Sequence, residues 1–102
     1  MSDIDPNTLP PLYESVLDGA QLDALFCDVG LLPGPVLVQV KGAPTERASD
    51  TPFTLGEARE SLREGRVRAV QLRYMHQGVA WSDTLIQIMG ATRLVRMALP
   101  SR

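Results

Sequence analysis

Chemistry has few places to start in this sequence, because His76 and Cys27 are each the sole residue of their type. A Cys–His nucleophilic pair needs thiolate and imidazole within hydrogen-bond reach. The residue pattern puts Cys27 on an early helix and His76 beside a hairpin turn, and nothing in it draws them together. Each has a plainer reading: Cys27 as a helix residue at the edge of the core, His76 as an exposed turn residue. Metal binding needs three or four clustered ligands, and one His, one Cys and scattered carboxylates do not supply them within this chain. Asp3 and Asp5 make an acidic pair in a segment expected to be a solvated arm. Gly30 and Gly34 fit neither GxGxxG nor GxxxxGKS/T, and no GxSxG elbow is present. No cofactor, metal or catalytic residue is expected, and the chain reads as a non-enzyme.

Two groupings of residues carry more. Gln77-Gly78 suits a two-residue hairpin loop, since glycine accepts the positive φ such loops need. Closing it pairs His76 with Val79, Tyr74 with Trp81, Leu72 with Asp83 and Val70 with Leu85, and the cross-strand aromatics favour that register. A second two-residue loop at Met89-Gly90 sets Leu85 opposite Leu94 and Asp83 opposite Arg96. Asp83 then has an ion-pair partner on a face where a lone carboxylate would be costly. Tyr74, Trp81, Asp83 and Arg96 would thus meet at one end of one sheet face. An Asp–Arg pair beside two aromatics can orient a small polar ligand; its plainer role is structural, fixing register.

The second grouping is basic. Residues 1 to 53 carry eight carboxylates against Lys41 and Arg47, whereas residues 54 to 102 carry eight arginines against Glu57, Glu60, Glu64 and Asp83. Arg59, Arg63 and Arg66 share one flank of the second helix, and Arg68 and Arg73 lie on or near the following strands. Sheets that bind RNA add exposed aromatics for stacking on bases. Here Tyr74 and Trp81 face the helices, and Phe26 and Phe53 lie outside the sheet. The patch holds half of what such a site requires. With a net charge of only −2, nucleic acid is not the favoured partner.

The elements that position these residues follow from periodicity and punctuation. The 102 residues are 44% hydrophobic and 22% charged, the balance of one ordinary globular domain rather than a disordered chain or a rod. No apolar stretch approaches the roughly 18 residues that cross a bilayer. The start, Met1-Ser2-Asp3-Ile4-Asp5, lacks the pattern of a secretory leader. No membrane association and a cytoplasmic location are therefore expected. Residues 1–11, with Pro6, Pro10 and Pro11, read as a mobile N-terminal arm, and residues 12–102 as a single α+β domain. Leu12, Tyr13, Val16 and Leu17 recur at helical spacing and suggest a short helix.

Asp18 with Gln21 and Thr54 with Glu57 form capping-box signatures. They start helices over about 19–29, with Leu22, Leu25, Phe26 and Val29 inward and Gly30 as a left-handed stop, and over 55–64, ended by Gly65. Val36, Val38 and Val40 alternate with Leu37, Gln39 and Lys41 as in a half-buried strand. Residues 42–53 read as a long loop, a place where recognition often sits. The remainder reads as a three-stranded antiparallel meander.

The expected fold is two short helices on one face of a four-stranded mixed sheet, in the order α-β-α-β-β-β. The helices cover Val36, Val38, Val40, Val70, Leu72, Tyr74, Trp81, Leu85 and Leu94. The other face holds Leu37, Met75, Ile86, Ile88, Val95, Met97 and Leu99 among polar residues, too apolar to sit comfortably in water. The favoured expectation is an accessory or protein-interaction domain forming a homodimer through Met75, Ile86, Ile88, Val95 and Met97, with room for a heterologous protein partner. The alternatives are nucleic-acid binding through the arginines, or a small-ligand site around Trp81, Asp83 and Arg96.

Overall fold

The computed structural model describes residues 12–42 and 53–99. The expected arm at 1–11 and nearly all of the 42–53 loop lie outside the described residues. Seven elements follow in the order β1 (Leu12–Leu17), α1 (Gly19–Gly30), β2 (Leu37–Lys41), α2 (Leu55–Arg63), β3 (Ala69–His76), β4 (Val79–Ile88) and β5 (Ala91–Ala98). The strands form one sheet, β1-β5-β4-β3-β2, in which every pairing is antiparallel. The α+β class holds, while the four-stranded mixed sheet is corrected to a five-stranded antiparallel one.

Two physical facts account for that correction. The segment 12–17 is a strand rather than a short helix, running antiparallel to β5 from Leu12↔Met97 to Leu17↔Thr92. Six residues are too few for a helix to sustain itself, whereas the free edge of β5 offers backbone donors and acceptors that need partners. Tyr13, Ser15 and Leu17 therefore turn toward the helices and Glu14 and Val16 to the opposite face, where helical spacing had put Val16 beside Leu17. The excursion through α2 leaves β2 and enters β3 at the same end of the sheet. Arg68 N–H donates to the Lys41 carbonyl at 2.9 Å there, so β2 and β3 run antiparallel with Val38 opposite Leu72.

Both capping boxes form. Asp18 Oδ1 accepts from Gln21 N–H at 2.8 Å while Gln21 Oε1 accepts from Asp18 N–H at 2.9 Å. Thr54 and Glu57 repeat the exchange at 3.0 and 2.9 Å. Gly65 takes φ +72° just past α2. Gly30 does not play that part in α1: it remains helical, and Leu31 closes the helix in a right-handed conformation, donating to the Asp28 carbonyl. The hairpin registers match the pairings deduced from the turns, from Tyr74↔Trp81 and Leu72↔Asp83 to Asp83↔Arg96 and Leu85↔Leu94. Gln77 and Gly78 both have positive φ, 53° and 79°, as do Met89 and Gly90 at 36° and 85°. That is the twist a two-residue hairpin loop needs.

The helices lie side by side on one face, α1 toward β1 and β5, α2 toward β2 and β3. Leu22, Leu25, Phe26, Val29, Ala58 and Leu62 pack there against Val70, Leu72, Leu85 and Leu94, forming one continuous core. Gln87 seals one end, its Nε2 donating to the Leu62 carbonyl at 2.7 Å and its Oε1 accepting from the Thr92 hydroxyl at 3.1 Å. The Leu62 carbonyl also accepts from Gly65 N–H at 3.2 Å, so Gln87 adds a second bond at the end of α2.

Candidate functional site

At the other end of the helix-covered face the structure brings together Tyr74, Trp81, Asp83 and Arg96. β3, β4 and β5 position them, because residues two apart on a strand share a face and the two hairpins lock the strands side by side. Asp83 is fully buried at 0% exposure. Its Oδ1 accepts from Arg96 Nε at 2.8 Å, and its Oδ2 accepts from Arg96 Nη2 at 2.8 Å and from the Tyr74 hydroxyl at 2.9 Å. The fork-on-fork geometry is the strong form of the Arg–carboxylate contact. Burial, with the adjacent Asp83 charge and the bond to it, pushes the Tyr74 phenol above its ordinary range. The hydrogen bonds to Asp83 likewise raise Arg96, against the opposing effect of burial. Asp83 is thus a fixed anchor, with both oxygens engaged.

Beside this anchor a cleft of about 520 Å³ opens between Gln21, Asp28 and Leu32 on the helix side and Tyr74, Leu94 and Arg96 on the sheet side. It continues into an outer lobe of about 370 Å³ bounded by Tyr13, His76 and Trp81. The Trp81 ring packs against that of Tyr13, centroids 6.4 Å apart and tilted by 39°. Trp81 Nε1 is shielded from water and has no acceptor. Arg96 keeps about a third of its side chain exposed.

The opposite face of the sheet carries the proposed interface residues. Met75 is 53% exposed, Ile88 40% and Met97 36%, while Ile86 and Val95 are half-buried between their neighbours. Val16 and Leu37, at 59% and 65%, extend the same apolar surface to both sheet edges. Among the described residues no helix lies on this face, and its one ion pair joins Arg93 Nη2 to Glu14 at 2.8 Å.

The arginines do not gather into one patch. Arg59 lies 3.5 Å from Glu60 and 4.0 Å from Asp23, Arg63 is 3.7 Å from Glu60, and Arg66 is 3.2 Å from Glu64. Arg73 sits on the open sheet face, away from the helix arginines. Arg68 packs its stem over Gly42. His76 is exposed at the end of β3, where it borders the cleft; Cys27 is exposed on α1 rather than at the edge of the core. Among the described residues no three His, Cys, Asp or Glu side chains group as metal ligands, and no helix is long and apolar enough to cross a membrane.

Tyr13, Gln21 and Asp28 were absent from the sites drawn from the sequence. Gln21, Ala24 and Asp28 follow helical spacing beside the apolar stripe of α1, so that flank was readable. Tyr13 was not, because its segment carried a helical pattern. The chain matches no family model, no curated protein and no solved structure.

Proposed function

We propose that the chain is a non-enzymatic interaction module that self-associates, docking the open face of its sheet onto the same face of a second copy. The observation that carries this reading is the set of exposed apolar side chains, Val16, Leu37, Met75, Ile88 and Met97, spread among polar residues over a face bare of helices among the described residues. Five strands about 4.8 Å apart and roughly eight residues long present a face on the order of 600 Å². That approaches the roughly 800 Å² per partner of a standard stable interface. The two methionines suit a surface that must adapt to its own image. Asp83, the one fully buried carboxylate among the described residues, supports a structural rather than catalytic part, since its three hydrogen bonds occupy both oxygens. The ion-paired arginines of α2 favour a solvated helix over a phosphate-binding surface.

Sedimentation equilibrium from 1 to 200 µM tests the reading. The expected result is a dimer in the wild type and, in Met75→Glu/Met97→Glu, a monomer that keeps the wild-type circular dichroism spectrum and whose Tm no longer rises with protein concentration. A wild-type monomer across that range that also fails to bind a hydrophobic dye would defeat it.

A further inference from the structure

The cleft lies on the helix side of the sheet, away from the proposed interface, and has features of its own. Its two lobes, about 520 and 370 Å³, fall in the size range of small-molecule sites. They share Tyr74, His76, Leu94 and Arg96, so they form one continuous depression. The walls are mostly apolar and aromatic, with Leu94 and Leu32 inside and Tyr13 and Trp81 farther out. At the junction stands an arginine whose orientation is fixed. Asp83 holds Nε and Nη2 at 2.8 Å, which pre-orients a guanidinium that is about one-third exposed beside Tyr74. Beside it Trp81 carries an indole N–H with no acceptor. Side chains held in place before binding lose little entropy when a ligand arrives.

We propose that this cleft binds a small, flat, uncharged aromatic molecule bearing a carbonyl oxygen. The apolar walls and the Tyr13–Trp81 pair take the ring, and the oxygen accepts from the Arg96 guanidinium. The indole N–H of Trp81 serves as a second donor once the ring seats and the pair adjusts. The preference for a neutral acceptor follows from charge. Asp83 already offsets Arg96, so the floor of the cleft is neutral as a whole, and Asp28 on the helix rim repels an anion.

Trp81 is the only tryptophan, so its indole N–H gives a single resonance in a ¹H–¹⁵N spectrum. Benzamide is the probe, with benzoate as its charged counterpart and Ala24→Phe as the blocking variant. Ala24 is an exposed α1 residue bordering the cleft, and its replacement leaves the core untouched. Titrating benzamide into the wild type should shift the indole resonance saturably, with a Kd on the order of 1 mM for a fragment this small. Benzoate should bind at least several-fold more weakly, and Ala24→Phe should abolish the shift while retaining the wild-type spectrum elsewhere. No saturable shift up to 20 mM, or the same shift in Ala24→Phe, would overturn the site. Tighter binding of benzoate than of benzamide would overturn the assigned ligand class.

Discussion

The two members of the Asp83–Arg96 pair should differ in what their removal costs. Asp83 is fully buried, whereas about a third of the Arg96 side chain reaches solvent. Arg96→Ala strands a carboxylate in the interior with only the Tyr74 hydroxyl left to solvate it. Removing one partner of a buried pair costs about 3–5 kcal/mol. For a domain near 100 residues each kcal/mol lowers Tm by roughly 4–8 °C, so a loss of about 4 kcal/mol lowers it by roughly 15–30 °C. Asp83→Ala leaves an arginine that can swing its head into water and a tyrosine hydroxyl without its acceptor, a cost nearer 2 kcal/mol. Replacing the group together, Asp83→Leu with Arg96→Met and Tyr74→Phe, should recover most of the loss, because no buried polar group is then left unpaired. Urea melts followed by circular dichroism at pH 7 provide the values, and the double-mutant cycle of the two alanine variants gives the coupling. If Arg96→Ala costs less than about 1 kcal/mol, or no more than Asp83→Ala, the asymmetric burial is not what sets the energetics, and this reasoning fails.

Other outcomes follow from the same geometry. Burial and the Asp83 charge raise the folded-state pKa of Tyr74 above its unfolded value near 10. The stability this contributes is therefore complete below about pH 10 and lost as pH rises toward the folded-state pKa. Melts between pH 8 and 11.5 should show a decline that Tyr74→Phe removes; an equal decline in that variant counts against the assignment. Thr54→Ala deletes the α2 cap and should cost about 1 kcal/mol in a urea melt, with a similar loss for Asp18→Ala at α1. Gly78 sits at φ +79°, so Gly78→Ala should destabilise by roughly 1 kcal/mol through backbone strain alone, since nothing lies within 4 Å of the added Cβ. Gly19, with a helical conformation and equally open space, should accept alanine with no loss by the same measurement.

Much of the architecture was legible because it is local. Capping boxes at Asp18 and Thr54 rest on residues three apart, and the two-residue loops at Gln77-Gly78 and Met89-Gly90 dictate register through their own backbone preferences. Once those loops are placed, strand geometry alone puts Asp83 opposite both Leu72 and Arg96, and Tyr74 opposite Trp81. The division of the sheet into a helix-covered face and an open apolar face comes from the same period-2 alternation.

Tertiary structure decided what depends on partners distant in the chain. Leu12–Leu17 carries a helical spacing of apolar residues, yet it pairs with β5, about eighty residues away, because that edge satisfies its backbone groups better than a helix of six residues can. From that pairing come the fifth strand, the Tyr13–Trp81 contact and the outer wall of the cleft. The direction of β2 was likewise set by where the excursion through α2 returns, a property of the folded path and not of any residue in the strand. Types and spacing within a dozen residues determined the elements and their faces. Which edges meet, and the cleft between α1 and the sheet, arose only when the whole chain closed on itself.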